Sequence, residues 1–563
     1  MKSIFALLVS AVVSIVAFAG AAEYHDELYD DQGSLRQQYA KILPYLEKKS
    51  SAEQKQYLER SFKAFNGENE AHTIPRIIPA EFKEKFIDPG ISQRAKALVA
   101  FLKDHYSGKK SYSKIIDPAL VEKIIARNGE AGYAGLVNPE DITFFYGPDM
   151  IVDADGVWRV IEDNTGFIGG PADVQVLREL TMSRDKKIGK MLNVEDPEVF
   201  YRQLTDHYKA IAKENGGKVI YLDSQIMSDN EDMLVKKMLT KYGIEIVDPD
   251  LNGTRLKINK RGVYTVTGFG EDKVKEKVGY VIVHGEHAWM DQSHRASRDR
   301  YMYEEARELL SPDAKLNKAW TPKKLKALRR IVQGPRTSKT TAKIEELIEA
   351  VEPDSKIFRF IDQSGELTAG INKSILKGRV AANYTPGTDF INDKQFYIFV
   401  EDLIRFYLKE EPILRNIPSG SFGGRDGKVD KEKLDAVLAN FNNFVIKRVD
   451  GRGGDAVWVG PKTAKEELPA LRKRVEADPT LFIFQSYSRL SQMQNWIIDS
   501  RGISFVHNFN VLVSNMMWGR ATPEKGNGKV NVSGGGRELP TLTLKSQASI
   551  CRDFFAPPGM VTE

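Results

Sequence analysis

The stretch YGPDMIVDADGVWRVIEDNTG, residues 146–166, constrains the fold more than any other part of the chain. Two apolar-rich arms flank Asp155-Gly156, a turn pair that sends the chain back on itself as a β-hairpin. A two-residue turn there pairs Ala154 with Val157 and, counting back, sets Asp149 directly opposite Glu162. Opposed residues of an antiparallel pair share a face, and Asn164, two residues beyond Glu162, joins them. Two carboxylates and an amide oxygen then converge as hard donors. That set suits Mg²⁺, which completes its shell with water and nucleotide phosphates. A solvated hairpin with acidic decoration is the alternative reading of the same residues.

The chain opens on MKSIFALLVSAVVSIVAFAGAAEYHDE. Lys2 precedes an apolar run from Ile4 to Ala19, and Ala17, Ala19 and Ala21 fall in A-x-A spacing. This is the pattern of a signal peptide over residues 1–21, cut after Ala19 or Ala21, and it predicts an exported protein, periplasmic or secreted. The run is short for a membrane span, which needs about 20 apolar residues. Cys551 is the only cysteine, which excludes an intrachain disulfide. A net charge of +5 on 563 residues gives no case for nucleic acid as a partner. With 41% hydrophobic residues the chain can build several domain cores.

Residues 22–140 read as a helical region. Residues 34–65 have helical periodicity with a break at Pro44, and SQRAKALVAFLKDHY and DPALVEKIIARNG follow the proline-punctuated TIPRIIPAEF. The hairpin region, 141–170, comes next. Residues 171–299 change character: KVIYLDSQ, EDMLVKKMLTKYG and IEIVDPDL read as strand, helix and strand, a βαβ unit with a parallel pair. GVYTVTG and KVGYVIVHGE add further strands. Ligands of such sheets gather at the C-terminal strand ends, where His284, Glu286, His287, Asp291 and His294 cluster. Their spacing fits no zinc signature, so they read as polar residues lining a substrate crevice. Residues 300–375 read as an added helical segment with ten Lys or Arg and no acidic residue from Lys315 to Lys343. A solvated helix face is the ordinary role of such a run, and an anionic surface is the partner residues 315–343 would fit.

The span 376–545, ahead of a tail at 546–563, carries features of a nucleotide site. Residues 378–414 lead from a strand into a long helix with Asp393-Lys394 at its start. FVIKRVDGRGGDAVWVGP places Lys447 at the end of an apolar strand before Gly451, Gly453 and Gly454. Glycines let backbone N–H groups approach phosphates, and a neighbouring lysine neutralises their charge. In LFIFQSYSRLS, Gln485 and the adjoining backbone could supply the donor and acceptor that an adenine edge needs.

Lys394 in NDKQF, Lys447 in VIKRVDGRGG, Gln485 in IFQSY, and Glu162 with Asn164 in IEDNTG resemble the nucleotide site of ATP-grasp enzymes. In ordinary members the metal-binding E-x-N segment comes last; here it comes first. The chain therefore resembles the circularly permuted ATP-grasp proteins from about Thr73 to Thr543, carboxylate–amine ligase-like and akin to glutathionylspermidine synthetase. The resemblance implies an α+β and α/β fold, with an α/β pre-ATP-grasp-like domain and added helical segments. It implies ATP and Mg²⁺ as cofactors, with Lys394, Lys447, Gly453, Gly454 and Gln485 toward the nucleotide and Asp149, Glu162 and Asn164 toward the metal. Arg520 in WGRATP and Asn531 in KVNVSGGGRE match family positions near the transferred phosphoryl group. The chemistry implied is amide formation between a carboxylate and an amine through an acyl phosphate. A catalytically silent binding scaffold and a kinase that stops at phosphoryl transfer are the alternatives. The chain departs from its relatives at FVHNF, with His507 at an arginine position, at Arg537-Glu538-Leu539-Pro540, and at VIVHGEH. These positions border the acceptor and phosphate sites.

Overall fold

The computed structural model describes residues 25–64, 71–165 except 73 and 75, 186–191, 198–223, 230–247, 255–268, 273–283, most of 302–351, 367–423, 428–449, 456–499, 502–508, 511–513 and 516–518. Its first part is helical, as expected. Helix α1 (Leu43–Glu47) carries Pro44 in its first turn. Proline is tolerated there because the N–H it lacks has no helical partner. The helix break instead falls after α1, before α2 (Ser51–Ala64). A two-residue strand, β1 (Ala71–His72), precedes α3 (Asp88–Tyr106) and α4 (Pro118–Arg127). In α3, Ile91, Arg94, Leu98, Phe101 and Leu102 recur at helical spacing and are buried. The α4 start is fixed by Asp117, whose carboxylate accepts the Ala119 N–H.

The α3 stripe packs against the hairpin of β2 (Phe144–Val152) and β3 (Trp158–Thr165), where Phe144, Tyr146, Met150 and Val160 enter the same core. Trp158 packs against the same core. Asp149 does stand opposite Glu162, but by a different route from the one the sequence suggests. Val152 pairs with Trp158, so the turn is longer than two residues. The Asp153 carboxylate holds this loop by accepting the N–H groups of Asp155 and Val157, with Gly156 at φ +77°. The longer loop shifts the register by one, and a bulge at Ile161 shifts it back. Met150 faces Val160 on one side of the bulge and Asp149 faces Glu162 on the other.

The bulge also switches faces. Val160 lies in the core before it, and Asp163 and Thr165 are buried after it, while Glu162 and Asn164 are only partly buried. Regular alternation would have put Val160 and Glu162 on the same side.

A second sheet follows. Strand β4 (Lys218–Leu222) runs parallel to β5 (Glu245–Val247), with α5 (Glu198–Glu214) before them and α6 (Asn230–Lys241) between them, the expected βαβ unit. Strands β6 (Arg255–Asn259), β7 (Gly262–Thr267) and β8 (Val274–Val283) form a meander, and β9 (Ala381–Ala382) runs parallel to β8. The order is β5-β4-β8-β7-β6, with β9 also beside β8. Helices α7 (Pro322–Val332) and α8 (Ser338–Glu349) share a separate core built on Met302, Tyr303, Trp320, Leu328, Ile344 and Ile348.

The long helix expected after Asp393 starts there, with one interruption: Lys394–Tyr397 is followed by Val400–Leu403, which continues as a π-helical turn through Ile404–Leu408. The Phe399 N–H bonds Phe396 only three residues back, which tightens the coil at that point. Strand β10 (Arg415–Asn416) then returns to run parallel to β3. Strands β11 (Ser419–Ser421), β12 (Phe444–Arg448), β13 (Val457–Val459) and β14 (Phe482–Ser486) form an antiparallel sheet in the order β11-β14-β12-β13. Helices α9 (Lys431–Ala439) and α10 (Leu468–Ala477) contribute Leu434, Leu471 and Val475 to a core shared with Ile446 and Phe482 of this sheet. A hairpin of β15 (Met493–Asp499) and β16 (Gly502–Asn508) takes β1 on its edge. Strands β17 (Val511–Val513) and β18 (Met516–Trp518) close back onto β2. The fold is the mixed α+β and α/β arrangement anticipated. Among the described residues no helix is long and apolar enough to cross a membrane.

Candidate nucleotide and metal site

Side chains from five separate elements meet on the face of β2–β3 away from α3. Asp149 comes from β2, Glu162 and Asn164 from β3, Lys394 from the helical turn, Lys447 from β12 and Gln485 from β14. The Asn164 amide nitrogen donates to Asp149 at 3.0 Å. A 180° flip of that amide would turn its oxygen to the same place. Lys394 Nζ donates to Glu162 Oε1 at 2.6 Å. The Gln485 amide donates to the carbonyl of Ile161, the bulged residue, at 3.2 Å. Asp149, Lys394, Lys447 and Gln485 are all buried.

The charges in this site are poorly solvated. Burial, with Glu162 beside it, pushes the Asp149 carboxyl up to about 8, and Lys447 and Lys394 only partly offset the rise. Burial pushes the Lys447 ammonium down to about 8, with Glu162 and Asp149 pulling it back and Lys394 adding to the fall. Such opposed shifts in one buried cluster are characteristic of sites built for a ligand. Two carboxylates and an amide fit a divalent cation that takes its remaining ligands from phosphate and water. Two ammonium groups within the same field fit those phosphates. Among the described residues no cluster of three or more His, Cys, Asp or Glu side chains could hold a metal.

Residues outside the expected ligand set hold it in place. The Asp393 carboxylate caps the Lys394 turn through the Gln395 N–H at 2.8 Å. Arg127 of α4 grips Asp393 at 2.6 and 2.5 Å and also reaches the Thr480 carbonyl at 2.8 Å, just ahead of β14. Glu130 accepts the N–H groups of Asp389 and Phe390 at 3.0 and 2.6 Å. On the core side of the hairpin, Arg94 of α3 pairs with Asp163. Its place on the apolar stripe of α3 was the available signal, because a charge there must find a buried partner.

Gly453, Gly454, Arg520, Asn531, the His284–His294 cluster and Arg537–Pro540 lie outside the described residues. His507 falls within β16, paired with Gln494.

The circularly permuted ATP-grasp type 2 family matches residues 75–291 and 336–514, and the chain belongs to that family. Family membership implies use of ATP and a divalent metal in general terms. A putative glutamate–cysteine ligase 2-3 of Frankia alni is 24% identical over 84% of this chain and 47% of its own length. A putative glutamate–cysteine ligase 2-2 of Frankia casuarinae is 23% identical, again over 47% of its length, so the chain spans about half of these two relatives. An uncharacterized protein of Synechocystis is 22% identical over 93% of this chain and 97% of its own. Among solved structures, a glutathione synthetase-like effector from Globodera pallida in the apo form gives a TM-score of 0.46 at 12% identity, over 87% of this chain and 93% of that one.

Proposed function

We propose that this chain is an exported ATP- and Mg²⁺-dependent ligase that joins a carboxylate to an amine. The observation that carries the reading is the meeting of Lys394, Lys447 and Gln485 with Asp149, Glu162 and Asn164 in one largely buried cluster. Family membership and the names of the two Frankia relatives support the ligase class.

Lys394 and Lys447 would hold phosphate oxygens, Gln485 the adenine edge, and Asp149, Glu162 and Asn164 the Mg²⁺. Bound there, the cation would supply charge neutralisation along the phosphates. A substrate carboxylate oxygen would attack the γ-phosphorus, the bond to the β-phosphate oxygen would break, and ADP would leave. The amine would then attack the acyl carbon, phosphate would depart, and the nitrogen would lose a proton to give the amide. Arg520 and Asn531 are the residues we assign to the charge that develops on the transferred group. Gly453 and Gly454 would bring backbone N–H groups to the phosphates.

Residues 1–21 would direct export. The exposed Lys323, Lys326, Arg329 and Arg330 on α7 would face an anionic surface. The second reading, a silent binding scaffold, draws on the internal engagement of Lys394 with Glu162 and of Gln485 with Ile161. Incubating the full chain with ATP, Mg²⁺ and carboxylate–amine pairs, glutamate with cysteine first, separates the readings by mass spectrometry. Amide formed together with ADP, and lost in Glu162→Ala, is the expected result. A phosphorylated acceptor without amide would indicate a kinase, and no product from any pair would leave the silent scaffold.

A further inference from the structure

We infer that Asp163 and Arg94, on the core side of the hairpin, are positioning residues for the divalent cation on its other face. The inference rests on the metal-site reading above. Asp163 sits between Glu162 and Asn164, so the alternation of β3 sends it to the opposite side. There Arg94 grips it at 2.9 Å through Nε and 2.6 Å through Nη2, and neither side chain exposes any surface. Tyr146 of β2 donates its hydroxyl to the same carboxylate at 2.5 Å. Arg94 also reaches the Leu414 carbonyl at 3.1 Å and the Asn416 side chain at 2.8 Å, tying in the segment that becomes β10.

This network fixes the one residue between two candidate metal donors, immediately beyond the bulge that decides which way they face. On the near side of the bulge, the Val160 carbonyl accepts the Tyr397 hydroxyl at 2.6 Å and the Ile417 N–H at 3.0 Å. The bulged residue itself is held through its carbonyl by Gln485. The strand is therefore clamped before, at and after Ile161. If the clamp at Asp163 slackens, Glu162 and Asn164 lose their fixed separation from Asp149. Partners one shell out from a metal donor typically set affinity by ~10–100-fold.

Burial works against the Arg94 charge, but Asp163 and Tyr146 outweigh it and hold Arg94 firmly protonated. Arg94 therefore stays a cation beneath the strand across the physiological pH range.

The test is Mn²⁺ binding to the full chain followed by electron paramagnetic resonance, with and without ATP, in wild type, Asp163→Asn and Tyr146→Phe. Asp163→Asn should raise the Mn²⁺ half-saturation by ~10–100-fold. Tyr146→Phe, which keeps the ion pair, should raise it by a smaller factor. ATP affinity measured in chelator should stay within about twofold of wild type in both, because Lys394, Lys447 and Gln485 are untouched; a purely structural defect would lower it as well. Unchanged half-saturation in a folded variant overturns the inference, as does an equal loss of metal-free ATP affinity. If Asp163→Asn fails to fold, Tyr146→Phe decides by the same readings. Wild type that binds Mn²⁺ but no ATP would contradict the proposed function while leaving this comparison readable. Wild type that binds neither overturns both.

Discussion

The hairpin carries buried charge on both faces, and the two clusters are built to opposite ends. On the core side, Arg94 and Asp163 are joined by paired hydrogen bonds, with Tyr146, Asn416 and the Leu414 carbonyl taking up further capacity. The demands of that pair are met within the fold. On the other side, Asp149 is driven up to about 8 and Lys447 down to about 8, foremost by burial in each case. Lys394 and Glu162 answer one another, but the protein alone solvates the set poorly. A charge cluster satisfied from within supports stability, whereas one left short of solvation is suited to a charged ligand. A few residues of β2 and β3 supply both.

The contrast can be broken most forcefully from the core side. Arg94→Ala strands a buried carboxylate and should cost ~3–5 kcal/mol in urea unfolding. In a double-mutant cycle with Asp163→Ala, the two losses should fall short of additivity by ~2 kcal/mol. Additive losses would mean the pair is not coupled as described.

A third kind of buried group sharpens the comparison. His207 in α5 has no hydrogen-bond partner at Nδ1, and burial alone pushes its pKa down to about 4. A depressed folded-state pKa gives stability that is complete above the usual histidine value of ~6.5 and lost as pH falls through about 4. Over that window His207 should account for ~2–3 kcal/mol of acid destabilisation. His207→Gln should flatten the acid limb of a stability–pH curve by that amount, and an unaltered limb would show that the imidazole charges freely in the fold.

The smallest effect on stability belongs to the ligand side. Lys447→Met exchanges a poorly solvated ammonium for an apolar chain and should change the unfolding free energy by less than ~1 kcal/mol, while lowering MgATP affinity by at least ~10-fold. A large loss of stability would show that Lys447 is part of the fold's internal balance after all.

The candidate site was legible because its residues lie in short local patterns. The Asp155-Gly156 turn signal and the E-x-N spacing bring Asp149, Glu162 and Asn164 together. Even there, agreement came from two compensating departures, a loop longer than two residues and a bulge at Ile161, and neither has a strong local signature. Pro44 looks like a break in the sequence because helical periodicity does not reveal where a first turn begins. The helix after Asp393 starts where the sequence places it and reaches Leu408, but its interruption at 398–399 and its π-helical end have no local signature. The pairing of Arg94 with Asp163 spans 69 residues and requires knowing which helix covers which strand face. Such choices are settled by packing, which a single sequence does not display.

Calorimetric titration of ATP into the full chain, with and without Mg²⁺, tests the central claim most directly, with Glu162→Ala and Lys447→Ala alongside. The two-sided hairpin predicts ATP binding that strengthens with Mg²⁺, loses its Mg²⁺ dependence in Glu162→Ala and weakens under both conditions in Lys447→Ala. No heat of binding from the intact protein, or binding indifferent to both substitutions, would contradict it.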